Sequence, residues 1–163
     1  MKKLLVLGAL ALVFVSVSTV MVVKSIQFDK ACAGFLERAS NATTTETALA
    51  ELKKATTYLE GNKLTAGYTS VLWQTPDEDI NFWYTNIKSA EKELEKVDSK
   101  TTALEKTNIL MKLRETLIEK GDKSDRVSVP RGLSRYPNNL PLGALWLLSL
   151  IPMIILIVIW SKE

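Results

Sequence analysis

The chain has 163 residues, 47% of them hydrophobic, with a formal net charge of +3, which is enough for one modest domain. Apart from Lys2, Lys3, Lys162 and Glu163 at the ends, acids and bases are nearly even, so there is no electrostatic footprint for nucleic acid. Histidine is absent and Cys32 is the single cysteine; this removes the commonest general base and transition-metal ligand, an internal disulfide and a thiolate metal cluster.

The first predicted element is the uncharged run Leu4 to Val23. It has the roughly 20 residues a helix needs to cross the hydrocarbon core. A cleaved signal peptide has the same basic start and apolar run, but this run is long for one and no A-x-A-like site follows closely. The reading is an uncleaved signal anchor over residues 4–23, with residues 1–3 as a short cytoplasmic tail.

Neither Gly nor Pro interrupts the chain between Ala9 and Ala33, so the membrane helix is expected to run into the body without a break. Phe28, Cys32, Phe35, Ala39 and Ala42 fall on one helical stripe. Cys32 on that stripe reads as a small buried hydrophobe. The stretch TTTETALAELKKATTYLE follows, with Ala48, Leu52, Ala55 and Leu59 as its stripe and Gly61-Asn62 as a stop. Lys63 to Gln74 is open between a loop and a short helix packed across the others.

The stretch TPDEDINFWY, Thr75 to Tyr84, opens the next helix. Asp77, Glu78 and Asp79 offer oxygen ligands for a hard cation, but their spacing is not that of an EF-hand loop. Helix-start chemistry accounts for them better: Thr75 as N-cap, Pro76 at the first position and Glu78 in a capping box. Ile80, Trp83, Ile87, Ala90, Leu94 and Val97 then alternate steps of three and four, while Glu91, Glu93 and Glu95 interleave with lysines as on a solvated face. Successive residues turn by about 100° on a helix, so Phe82 and Tyr84 lie to either side of the stripe that Trp83 occupies. Core packing of both is one reading. The sharper one is that one of the two docks on a partner, Phe82 ahead of Tyr84, with Trp73 as a further candidate, since aromatics are favoured anchors. The last body helix, TTALEKTNILMKLRETLIEKG, carries Leu110, Leu113 and Leu117 on its stripe, a Thr102–Glu105 capping box and Gly121 as its end.

Residues 122–141 hold Pro130, Pro137, Pro141 and Gly132 and read as an extended basic strap. Arg126, Arg131 and Arg135 there are candidate contacts for lipid headgroups. Leu142 to Trp160 is a second uncharged run of membrane length, with Tyr136, Trp146 and Trp160 read as interfacial aromatics and residues 161–163 as a cytoplasmic tail.

The fold expected is therefore an all-α membrane protein. Two transmembrane helices flank an antiparallel bundle of about four helices over residues 24–121, and the first membrane helix is continuous with the first bundle helix. Lys2 and Lys3 resemble a bacterial export signal and favour an extracytoplasmic body on the bacterial inner membrane. Lys24, Lys30, Arg126, Arg131 and Arg135 argue for a cytoplasmic body, and the long connection weakens the charge rule. Helical bundles between two membrane helices resemble the input domains of bacterial chemoreceptors and sensor kinases. That resemblance is architectural, and it implies an output domain after the second span, where only Ser161, Lys162 and Glu163 stand. Neither span carries an ionisable residue, which argues against a conduction pathway. No nucleophile elbow, phosphate loop or dinucleotide fingerprint is present. The expectation is a non-enzymatic protein without cofactor or metal that acts as an accessory, assembly or scaffolding subunit. Its partners would be the lipid bilayer and other membrane subunits or further copies of itself. An extracytoplasmic ligand sensor signalling through a partner, or a small oligomeric channel or transporter component, are the alternatives.

Overall fold

The structure, a computed structural model, describes every residue except Met1, Val71, Asp122, Lys123, Lys162 and Glu163. The tail assignments of Met1, Lys162 and Glu163, and the parts given to Val71 in the central loop and to Asp122 and Lys123 in the strap, lie outside the described residues. The fold is mostly helical. In chain order it comprises α1 (Lys2–Phe28), a π-helical turn (Asp29–Ala33), α2 (Gly34–Ser40), α3 (Thr45–Gly61), α4 (Ile80–Glu95), α5 (Ala103–Leu117), strands β1 (Ile118–Glu119) and β2 (Arg126–Val127), and α6 (Asn139–Trp160).

Two helices are long and apolar enough to cross a membrane: the continuous helix Lys3–Ser40, 38 residues long, and the 22-residue α6. The first joins α1 to α2 through the π turn, so the apolar helix does run on into the body. α1 and α6 lie side by side. The Phe14 and Trp146 rings are 5.4 Å apart between centroids, the Trp146 indole N–H donates to Ser18 Oγ at 3.2 Å, and Val17 and Ser149 are buried. Trp146 thus faces α1, where its N–H finds a hydroxyl.

The body is built on one core. Phe28, Cys32, Leu36 and Ala39 meet Ala48, Leu52, Ala55 and Leu59 of α3, Ile80, Ile87 and Leu94 of α4, and Leu113 and Leu117 of α5. Each of these helices is amphipathic and has to bury its stripe against the others. Contacts run in opposite order along neighbouring helices. Phe28 meets Tyr58 and Arg38 meets Glu51. Lys53 meets Glu95 and Glu60 meets Lys88.

Five expectations are corrected or, where left open, decided. The stripe of α2 includes Leu36, fully buried, where Phe35 was expected; Phe35 is only partly buried. The π turn takes in one extra residue per turn and so retards every later side chain around the axis. The N-cap of α4 is Asp79, whose Oδ1 accepts from Phe82 N–H at 3.0 Å. Thr75, Pro76 and Glu78 instead build a separate 3-10 turn, Pro76–Glu78, in which Thr75 N–H donates to Glu78 Oε2 at 3.3 Å. Two start signals overlap here, and the carboxylate nearer the apolar stripe caps the helix. Lys63 to Gln74 forms turns and bends and one bridge, Tyr68 to Asp79, and no helix among its described residues. Glu91 is buried rather than solvated, its carboxylate held by Lys88 at 2.9 Å. It lies four residues after Ile87 and so shares that residue's side of the helix.

The fifth correction concerns the strap. α5 stops at Leu117, short of Gly121, because Ile118 and Glu119 pair antiparallel with Val127 and Arg126. The chain beyond is docked on the body rather than extended from it. Leu133 is buried in the core, and Val129 and Tyr136 pack against it. Ser128 N–H donates to Leu117 O at 2.8 Å. Prolines and glycine rule out a long helix here, but they do not prevent a chain from packing irregularly when its few large apolar residues find a core. α6 begins at Asn139, so Pro141 lies in its first turn, where the missing N–H costs no helical bond.

Candidate functional site

Only one strong aromatic triplet lies on the body, and its three members meet different fates. Trp83 is on the stripe of α4 and half-buried, and its indole N–H donates to Ser128 O at 2.7 Å. That bond ties α4 to the strap. Tyr84 turns toward α3 and donates its hydroxyl to Glu60 Oε1 at 2.6 Å; Lys88 approaches the same oxygen at 3.2 Å. Phe82 packs on neither side and is 64% exposed. The third candidate docking residue, Trp73, is 75% exposed in the central loop. The structure therefore separates Tyr84, which is engaged inside the molecule, from Phe82 and Trp73, which are not covered.

The Tyr84 cluster is electrostatically coherent. Loss of hydration pushes the Tyr84 phenol up to about 12, and the hydrogen bond to Glu60 adds to the shift. The Tyr84 hydroxyl and then Lys88 hold the Glu60 carboxyl below its usual range. The neutral phenol is thus favoured in the folded state. Its contribution to stability is complete below the ordinary tyrosine value near pH 10 and is lost as pH rises toward about 12. A Tyr84→Phe variant is therefore expected to have a shallower fall in unfolding midpoint than the parent over that alkaline window. Urea titrations at stepped pH measure it, and parallel slopes for the two proteins would refute the assignment.

The acids of the opening motif lie on the rim of a groove between the start of α4 and the strap, with Phe82, Asn86, Thr116 and Arg131 among its lining residues. No group of three or more His, Cys, Asp or Glu able to hold a metal ion is found among the described residues. Of the candidate lipid contacts, Arg126 and Arg131 are exposed. Arg135 is half-buried, and its Nη1 lies 3.7 Å from Met21 Sδ on α1, which places it beside the apolar helix. Sequence reasoning did not find the partner of Tyr84, since Glu60 is remote in the chain. It also did not find Glu51, buried between Arg38 at 3.1 Å and Lys54 at 2.8 Å. A lone glutamate next to the stripe residue Leu52 was the available signal.

The fold and this surface define a helical protein with two helices of membrane-crossing length and an uncovered aromatic on its body. Comparison with family models, with curated proteins and with solved structures finds no match for the chain.

Proposed function

We propose that the protein is a non-enzymatic, two-span membrane protein that acts as an accessory, assembly or scaffolding subunit. In this reading α1 and α6 cross the bilayer as neighbours. The body stands on it as an antiparallel bundle of α2 to α5, on the extracytoplasmic side of a bacterial inner membrane. Lys2 and Lys3 ahead of the first apolar run support that orientation.

The observation that carries the reading is Phe82. A large aromatic in the first turn of a well-capped helix is left in solvent while the two aromatics that follow it, Trp83 and Tyr84, are engaged. Exposed aromatics set on rigid elements are favoured anchors for protein partners. The start of α4 lies at the end of the body where Trp83 meets the strap, so a partner reaching Phe82 approaches alongside the membrane, as another membrane subunit would.

A photo-crosslinking amino acid at position 82 of the full chain tests this, with the exposed Lys100 as control position. The expected result is a stoichiometric foreign membrane subunit joined at 82 and absent at 100. A chain that purifies alone in mild detergent and crosslinks to nothing, or that forms a pure homo-oligomer conducting ions in liposomes, would overturn the accessory role.

A further inference from the structure

Among the described residues, the most exposed large apolar ones outside α1 are Leu72, at 73%, and Trp73, at 75%. They sit at the tip of a loop whose two limbs are joined. Thr69 N–H donates to Glu78 O at 3.1 Å, Ile80 N–H donates to Gly67 O at 2.9 Å, and Tyr68 bridges Asp79. Between these limbs Leu72 and Trp73 are exposed, while Thr75 to Asp79 border the groove beside α5 and the strap. The base of the loop is fastened to the first residue of α6: Asn139 Nδ2 donates to Thr69 O at 2.5 Å. Gly67 lies against Tyr136, just before that helix.

We infer that this loop seats Leu72 and Trp73 in the headgroup–acyl boundary of the bilayer that α6 enters. The inference rests on the reading of α6 as a membrane span. It adds a third point of attachment beside the two helices. Where the loop leaves the body is fixed by Asn139 at the level where the apolar run begins. Trp73 lies four chain steps beyond Thr69, a reach of at most about 14 Å, which takes the indole to the boundary and not to the bilayer centre. Tryptophan suits that layer because its ring is apolar and its N–H finds water or headgroup oxygens. The Trp73 backbone N–H donates to Ser70 Oγ at 3.3 Å. Asp77, Glu78 and Asp79 lie on the returning limb, so attachment works through apolar insertion and does not require anionic lipid. Phe82, by contrast, remains the protein-facing aromatic.

Trp73→Phe in the full chain tests the inference, because an exposed position tolerates the exchange and the difference from wild type reports Trp73 alone. Both proteins are placed in phosphatidylcholine vesicles whose chains carry bromine either near the headgroup or deep. The expected result is that the Trp73 share of the emission is mostly lost with shallow bromine and little affected by aqueous iodide. The remaining tryptophans, Trp146 in particular, report on α6 through the deep bromine. If that remainder is quenched while the Trp73 share answers only to iodide, the loop faces water and the inference fails with the spans intact. A Trp73 share protected from both quenchers means a protein contact and overturns it equally. If no tryptophan answers to either bromine, the membrane reading itself fails.

Discussion

Leu36→Ala is expected to cost about 2–5 kcal/mol of folding stability, the range for truncating a fully buried leucine. Phe35→Ala, one residue earlier and the larger truncation, should cost clearly less. The order reverses what side-chain size suggests, and the reason lies in the π turn. Phe28 enters the core at the end of α1, and Asp29–Ala33, which contains Cys32, then winds with about one residue more per turn. Leu36 is carried onto the face that Phe35 would otherwise hold. Leu36 lies in the cluster with Leu52 and Leu59 and has no exposed surface. Phe35 is turned to the edge, where the Lys54 ammonium sits 5.3 Å from its ring centroid. That contact is worth about 0.5–1 kcal/mol at an exposed site. Urea unfolding of the full chain in mild detergent, followed by far-UV circular dichroism, compares the two. A larger loss for Phe35→Ala would mean that the helix keeps a regular phase and that the π turn does not set the core.

The same pair of residues shows what could be read from the chain. Where a helix is regular, its period alone finds the core. Ala48, Leu52, Ala55 and Leu59 of α3 are all fully buried, as are Ile80 and, to within a few per cent, Ile87 and Leu94 of α4. Both apolar runs are helical, and the first does continue into the body. What the period cannot carry is any departure from it that distant contacts decide. A π turn has no residue signature of its own. Leu133 and Tyr136 of the strap have no periodic neighbours to mark them as core, and their burial depends on the space left by four helices. By sequence the cap of α4 falls at Thr75; Asp79 satisfies the same local rules, and only the position of the 3-10 turn decides between them. Charges mislead for a related reason: a rule of alternation puts Glu91 in water, while Lys88 lets it lie against the core.

The candidate site was legible to the same extent. A turn of about 100° per residue separates Phe82 and Tyr84 from the stripe, and both do lie off it. Which of the two would be covered depended on Glu60, a contact across 24 residues of chain. By sequence Phe82 stands ahead of Tyr84 as the open member, but no local rule names Glu60 as the group that engages Tyr84. Trp73 was recognisable as an aromatic in a segment without a firm period, but its relation to α6 rests on Asn139, 70 residues from Thr69.

Gly67→Ala should loosen the attachment of the strap and the central loop together. Gly67 has φ of +103°, a conformation that costs a residue with a Cβ about 1–3 kcal/mol. A Cβ there would also overlap the Tyr136 hydroxyl, so either the loop or Tyr136 has to move. Tyr136 packs against the core next to Leu133, and the neighbouring Thr69 holds Asn139; displacement at one point is therefore passed to the start of α6. The expected result is a lower urea midpoint, with faster tryptic cleavage after Arg131 and Arg135 as the strap detaches. Gly61→Ala serves as the control. That glycine ends α3 with open space around its Cβ position, so alanine there should be neutral or stabilise by up to about 1 kcal/mol. Adding Tyr136→Phe to Gly67→Ala removes the overlapping oxygen and should restore part of the loss, leaving the backbone cost. Such recovery is the non-additivity expected of residues in contact. A Gly67→Ala protein that unfolds with the parent, or a double variant whose losses simply add, would show that the loop and strap do not meet at Gly67 and Tyr136.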